Sequence, residues 1–86
     1  MYEIVIRDYI NKLTEEKIME YGKKKNIDIS FEDAKVLYMY AKNYWRDFYK
    51  DYPKDLINEI KEKIDKTTFT KLLKIYEKAY KNIHKS

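Results

Sequence analysis

The sequence contains no cysteine, and it has only one glycine, one proline and one histidine among its 86 residues. Without cysteine there are no disulfides or thiolate metal sites, and a reducing cytoplasm is the expected compartment. A phosphate-cradling loop needs several glycines in series, so that class of site is excluded as well. Scarce glycine and proline also disfavour tight hairpins, and the apolar residues recur with helical spacing almost throughout.

The reactive side chains predict that the chain is not an enzyme. General acid–base and nucleophilic catalysis need a base, an orienting partner and a nucleophile within hydrogen-bond reach. The one histidine, His84, is close to the C-terminus, where chains commonly fray. Ser30 is better explained as a helix cap. We therefore expect no catalytic residues, no cofactor and no small-molecule substrate.

Two pairs of carboxylates have the i,i+4 spacing that places both on one helical face: Glu16 with Glu20, and Asp47 with Asp51. Two such pairs on facing helices could hold a hard cation. In a lysine-rich chain they more often form a solvated face, and we expect no metal.

A membrane location is not expected. No apolar run approaches the roughly 20 residues of a membrane span. The first ten residues are interrupted by Glu3 and Asp8 and lack the basic leader of a signal peptide.

The stretch Ser30–Asp51 predicts one long aromatic-rich helix that organises the chain. Ser30 and Asp33 have the spacing of a helix-capping box. On a helical wheel the apolar residues of this stretch span about 140°, enough to face two or three neighbours. That arc contains Ala34, Leu37, Tyr38, Ala41, Tyr44, Trp45, Phe48, Tyr49 and Tyr52.

Four shorter helices are predicted around it, at about Tyr2–Lys12, Thr14–Lys25, Pro53–Ile64 and Thr67–His84. The fold class is therefore all-α, a single domain over residues 1–86 built as a bundle of four or five helices. The first helix is expected to bury Tyr2, Val5, Ile6, Tyr9, Ile10 and Leu13. The last helix is expected to bury the stripe Phe69, Leu72, Leu73, Tyr76, Ala79, Tyr80 and Ile83.

Three finer features are predicted within these helices. Asn26 is expected to end the second helix in the left-handed conformation. Gly22 costs about 1 kcal/mol relative to alanine inside a helix, which indicates close packing against the aromatic helix. Glu59 and Lys63 are spaced to pair on the outer face of the fourth helix.

The long helix has more tyrosine and tryptophan than one small core obviously needs. Such residues are favoured in interface hot spots, so Tyr38, Trp45 and Tyr49 are the candidate partner-binding residues. The first functional hypothesis is accordingly a non-enzymatic module that binds a protein partner or a second copy of itself.

The second hypothesis is nucleic-acid binding, because the positive charge is concentrated in one segment. The net charge is +4 overall; residues 1–65 hold 13 basic and 14 acidic side chains, whereas residues 66–86 hold six lysines and one glutamate. Aligned lysines can follow a phosphate backbone and neighbouring aromatics can stack on bases. The opposing interpretation is that these lysines are only the solvated face of an amphipathic helix. The candidates are Lys71, Lys74, Lys78, Lys81 and Lys85 on the last helix, with Lys42 and Arg46 on the long helix.

Two segments carry a resemblance to a known family: INKLTEEKIMEYGKKKNIDISFEDAKVL and LINEIKEKIDKTTFTKLLKIYEKAY. They resemble a family of short cytosolic helical proteins of low-GC Gram-positive bacteria, described as a domain of unknown function. The matching features are the Leu13-Thr14 pair, the Ile27–Ser30 connector and the Thr67-Thr68 pair. The middle, YAKNYWRDFYKDYP, departs from the family's glycine-bearing turn. The resemblance implies a helical fold and transfers no activity or site residue.

The helix–connector–helix order of Leu13–Ala41 is more loosely similar to SAP-type DNA-binding modules.

Overall fold

Five helices and no strand make up residues 2–84, the part of the chain that the computed structural model describes. This confirms the all-α class. The helices are α1 (Tyr2–Asn11), α2 (Glu15–Lys24), α3 (Phe31–Lys50), α4 (Lys54–Lys63) and α5 (Lys66–Ile83).

Short polar side chains at the predicted positions begin α2 and α3. The Thr14 hydroxyl accepts a hydrogen bond from the Lys17 amide at 3.2 Å, and the Ser30 hydroxyl accepts one from the Asp33 amide at 3.1 Å. Each bond satisfies an N–H group that has no partner within the helix. Asn26 has φ 64°, so the predicted left-handed residue after α2 is confirmed.

The long helix α3 is not straight, contrary to the prediction of one regular rod. Tyr44 has φ −132° and ψ 17°, which interrupts the helical backbone there. One residue earlier, the Asn43 side-chain amide donates to the Met39 carbonyl at 2.9 Å. A side chain that enters the backbone ladder in this way is a recognised cause of a kink. The kink changes which residues face the neighbouring helices.

Gly22 is closely packed, but not against the aromatic helix. A β-carbon at this position would lie 2.7 Å from Ile29 Cδ1 and 2.8 Å from the backbone oxygen of Ile27. The close neighbour is therefore the connector between α2 and α3. Ile27 and Ile29 of this connector are both buried, at 3% and 4% exposure, as the alternation Ile-Asp-Ile predicted.

The other helices pack along α3. Helix α1 runs antiparallel to its second half, because Glu3 pairs with Lys50 at 3.9 Å while the Lys42 ammonium donates to the Asn11 carbonyl at 3.4 Å. Helix α2 packs against α3 as well. Helix α5 follows the same direction as α3: the Asp65 amide donates to Asp33 Oδ2 at its start. At its end, His84 lies beside the Tyr49 carbonyl.

Two small clusters form the buried core. The first contains Ile27, Ile29 and Ala34; the second contains Tyr40, Ile60 and Ile64. The predicted inward face of α4 is confirmed for Ile57, Ile60 and Ile64, each 8% exposed or less. Side chains of α2, α3, α4 and α5 meet at these clusters, and among the described residues neither cluster contains one of α1.

The predicted burial of α1 is wrong for two of its residues. Val5 is 64% exposed and Tyr9 is 56% exposed, whereas Ile10 is buried. The predicted stripe of α1 is wider than the surface that α3 covers, so part of it faces solvent. The side chain of Tyr2, which the sequence predicts to be buried, lies outside the described part of the structure. Within residues 2–84, no helix has both the length and the apolar character that crossing a membrane requires.

Candidate docking groove

An open apolar groove of about 570 Å³ lies among the helices. All five helices contribute to its lining, which is made of aliphatic and aromatic side chains. Three of the lining residues are themselves exposed: Tyr9 on α1, Tyr21 on α2 and Ala79 on α5. The mouth of the groove therefore opens between these helices.

The groove is present because bulky rings hold α5 away from α3. The rings of Phe48 and Tyr76 meet edge to face at 5.6 Å. The Tyr76 hydroxyl donates to the Phe48 carbonyl at 2.6 Å, which fixes this spacing. Small side chains, Ala41 on α3 and Ala79 on α5, also line the groove and leave space between the helices.

The apolar stripe of α5 faces this groove and is only partly covered by the rest of the chain. Of the residues of α5, Thr68 alone is buried. The predicted stripe members Leu72, Tyr76 and Ile83 are only half-buried, and Ala79 is exposed. The prediction is therefore right about the face, whose first members Phe69 and Leu72 pack against the buried clusters, and wrong about Ala79, which is exposed.

The three candidate partner-binding residues are all half-buried, but they do not form one surface. Trp45 and Tyr49 line the groove, and the Arg46 guanidinium stacks on the Trp45 ring at 4.7 Å. Tyr38 lies outside the groove, with the Lys42 ammonium 5.3 Å from its ring centre. The structure thus brings two of the three to the same cavity.

Several aromatic rings cluster where α5 ends beside α3. Tyr80 is central: its ring lies 4.2 Å from the His84 imidazole and 5.9 Å from both Tyr52 and Tyr76. His84 Nε2 lies 2.8 Å from the Tyr49 carbonyl oxygen. Sequence reasoning treated His84 as a residue of a frayed end, and its position became visible only with the packing of α5 on α3.

Hydrogen bonds and burial change the acidity of two tyrosines in this aromatic cluster. The Tyr52 hydroxyl donates to Glu77 Oε2 at 2.6 Å, and this bond to a carboxylate raises the pKa of Tyr52. Burial raises the pKa of Tyr76, with the neighbouring rings of Tyr80 and Tyr52 adding to the effect. Both hydroxyls are therefore protonated donors at neutral pH.

Tyr40 is the residue that sequence reasoning missed. It was outside the predicted apolar arc, yet it is only 2% exposed and lies against α4. Its hydroxyl donates to Glu59 Oε1 at 2.7 Å and accepts from the Lys63 ammonium at 3.0 Å. Glu59 and Lys63, predicted to pair directly, are instead bridged by this hydroxyl. The hydrogen bond to Tyr40 raises the pKa of Lys63.

The basic candidates divide into two groups. Lys71, Lys74, Lys78 and Lys81 are all exposed on α5. Lys42 and Arg46 are in contact with other groups of the chain, since Lys42 bonds the Asn11 carbonyl and Arg46 stacks on Trp45. Lys85 lies outside the described residues.

The carboxylates do not assemble into a metal site in the described part of the chain, where no group of three or more potential ligands comes together. A second, polar cavity of about 500 Å³ does contain Asp28, Asp33 and Asp65. Asp33 accepts from the Asp65 amide, and Asp65 accepts from the amide and hydroxyl of Thr68. Asp65 is therefore the N-cap of α5, and Asp33 links the start of α3 to the start of α5.

Fold and groove together define a small all-α domain with an open apolar surface between its helices. The chain belongs to the family described as "Protein of unknown function (DUF2624)", whose model matches residues 1–80. Neither a curated protein nor a solved structure matches this chain.

Proposed function

We propose that this protein is a non-enzymatic interaction module whose docking surface is the apolar groove. The observation that carries the proposal is the groove itself: an apolar surface of this size is left open to solvent in a chain with a small core. Exposed apolar patches with a polar surround commonly mark sites of protein–protein contact.

The lining of the groove suits a protein partner better than a small polar ligand. Trp45 and Tyr49 line it, and tryptophan and tyrosine are enriched among residues that dominate binding energy. A pocket for a polar metabolite would need several convergent polar groups to fix its orientation. The lining here is almost entirely hydrocarbon and aromatic ring, which is typical of a surface that receives an amphipathic helix.

Site-specific photo-crosslinking tests the proposal. Ala79 is replaced by benzoylphenylalanine at the mouth of the groove, and the protein is irradiated in its native host. The control replaces Thr70, an exposed residue nine positions earlier and therefore on the opposite side of α5. We expect discrete adducts from position 79 and none from position 70. Equal labelling from both positions, or none from position 79, would contradict the proposal.

A second candidate function is nucleic-acid binding by the exposed lysine face of α5, and one contact favours it. Glu77, the single acidic residue of α5, is hydrogen-bonded to the Tyr52 hydroxyl. Lys71 to Lys81 extend over about 15 Å of helix, at 1.5 Å per residue, long enough to follow several phosphates. This face is separate from the apolar groove, so the two functions do not exclude each other.

A charge-reversal experiment tests this second candidate. The variant Lys74→Glu/Lys78→Glu/Lys81→Glu should lose affinity for labelled single-stranded DNA or RNA, and wild-type affinity should fall steeply as salt rises. The matched control Lys12→Glu/Lys54→Glu/Lys61→Glu has the same net charge, with the changes at exposed lysines outside α5. If wild type does not shift either nucleic acid at low salt, or if both variants lose affinity equally, the α5 face is not a binding site.

A further inference from the structure

We propose that Tyr52 keeps the lysine face of α5 available for phosphate groups by holding the carboxylate of Glu77 away from Lys74 and Lys81. This inference rests on the second candidate function, nucleic-acid binding by that face, and adds a positioning residue that lies outside α5. It is carried by the place of Glu77 on the helix, by its hydrogen bond to Tyr52 and by the ion pairs of the described residues.

The position of Glu77 in the sequence would allow it to neutralise the lysine face. It is the single acidic residue of α5, with Lys74 three residues before it and Lys81 four residues after it. Side chains at these separations are neighbours on a helix surface, and glutamate four residues before lysine is the favoured order for an ion pair. A Glu77 paired in this way would leave one lysine fewer for a phosphate.

The folded chain directs the carboxylate of Glu77 to a different partner. Its Oε2 atom accepts a hydrogen bond of 2.6 Å from the Tyr52 hydroxyl. Tyr52 lies between α3 and α4, and its ring is packed against Tyr76 and Tyr80, with both ring centroids at 5.9 Å. The hydroxyl is therefore presented to Glu77 by a ring that is itself held in place.

The lysines that Glu77 could reach are left for an external anion. Lys74, Lys78 and Lys81 are all exposed, and their spacing places them on one side of α5. Within residues 2–84, the ion pairs join Lys35 and Lys50 to glutamates, and none involves a lysine of α5. Phosphate groups of a nucleic acid can therefore bind these ammonium groups without first displacing a carboxylate.

A double-mutant cycle tests the proposal by fluorescence anisotropy of labelled single-stranded DNA at low salt. Tyr52→Phe removes the hydroxyl without changing the net charge of the protein. It should weaken binding about two- to fourfold, because Glu77 can then pair with a lysine. In the Glu77→Gln background the same Tyr52→Phe change should leave the affinity unchanged, since no carboxylate is released.

The matched control is Tyr40→Phe. It also removes a tyrosine hydroxyl that donates to a glutamate, but that residue is Glu59 on α4, at 2.7 Å. This control should bind DNA like wild type. Circular dichroism of each variant checks that the helices are intact.

The outcomes separate this inference from the second candidate function. Suppose that wild type binds DNA and that Tyr52→Phe binds equally well, weakens binding as much in the Glu77→Gln background, or matches Tyr40→Phe. The lysine face is then a binding site, and only the role of Tyr52 is wrong. If wild type does not bind DNA at all, both proposals fail.

Discussion

Gly22 shows how one missing side chain sets the path of the chain. Its Cα hydrogen faces the connector at a place where a β-carbon would meet the Ile27 backbone oxygen at 2.8 Å. The amide of Ile27 in turn donates to the Gly22 carbonyl at 2.7 Å. The turn from α2 into the connector therefore depends on glycine for space, although the positive φ of that turn belongs to Asn26.

We predict that Gly22→Ala destabilises the protein. Alanine gains about 1 kcal/mol of helix propensity, but forcing a methyl group against backbone costs about 1–3 kcal/mol. The free energy of unfolding, measured in urea, should therefore fall by up to about 2 kcal/mol. Glu20→Ala, at an exposed position of the same helix, should change stability by less than about 0.5 kcal/mol. A more stable Gly22→Ala variant would show that the connector relaxes freely.

Tyr76 joins α5 to α3, and its ionisation makes the free energy of unfolding depend on pH in the alkaline range. Its pKa is raised above the ordinary value of 10.0 by burial. The unfolded chain releases this proton at lower pH than the folded chain, so deprotonation favours unfolding. The stability contributed by the raised pKa is complete below about pH 10 and is lost as pH rises towards the folded value. Tyr52, raised by its bond to Glu77, acts in the same direction.

We predict that, at alkaline pH, the free energy of unfolding of Tyr76→Phe falls less steeply with rising pH than that of the wild type. At neutral pH the variant should lose about 1 kcal/mol, because the hydrogen bond to the Phe48 carbonyl is absent. Above about pH 10 the difference between wild type and variant should narrow, since phenylalanine has no proton to release. Urea unfolding at several pH values measures the free energy of unfolding in both the neutral and the alkaline range. Parallel profiles would mean that Tyr76 titrates normally in the folded protein.

At the scale of the helices, Asp65 has two structural roles. Its carboxylate accepts from the Thr68 amide at 3.0 Å and begins α5. Its own amide donates to Asp33 Oδ2 in the first turn of α3 at 3.1 Å. These bonds fix the start of α5 beside the start of α3, and the direction of α5 decides where the groove lies.

Asp65→Ala should therefore lower the free energy of unfolding by more than an ordinary surface substitution does. Removing an N-cap typically loses about 1–2 kcal/mol, while the amide of residue 65 can still donate to Asp33. Lys66→Ala, at the adjacent exposed position, should cost less than about 0.5 kcal/mol. Thermal unfolding of both variants measures the difference. Equal costs would argue that α5 is positioned by its aromatic cluster alone.

The sequence predicts the helices and their caps well, because both depend on neighbouring residues. Thr14, Ser30 and Asn26 are in the predicted positions since a cap needs only a short polar side chain or a left-handed residue at the right offset. The predicted burial of Tyr40 and Tyr44 is reversed in the structure: Tyr44 lies in the predicted apolar arc but is exposed, whereas Tyr40 lies outside the arc but is buried. A wheel assumes a straight helix, and the kink at Tyr44 together with packing of α4 buries Tyr40.

The groove could not be predicted from the sequence. Periodicity shows that α1 and α5 each have an apolar face, but not whether another helix covers it. Tyr9 and Ala79 fit a core stripe by spacing, yet both are exposed. Whether such residues are covered depends on how the helices pack, for example on the Phe48–Tyr76 contacts between α3 and α5.

For the whole molecule, the proposed function depends on an apolar groove that is open to solvent. Trp45 is the only tryptophan of the sequence and lines that groove, so its fluorescence, excited selectively over that of the tyrosines, reports on the groove. Acrylamide quenching of Trp45 in dilute, folded protein tests the open groove most directly. We predict that acrylamide quenches Trp45 readily in the folded wild-type protein. A Trp45 that is fully protected from acrylamide in the folded protein would contradict an open groove.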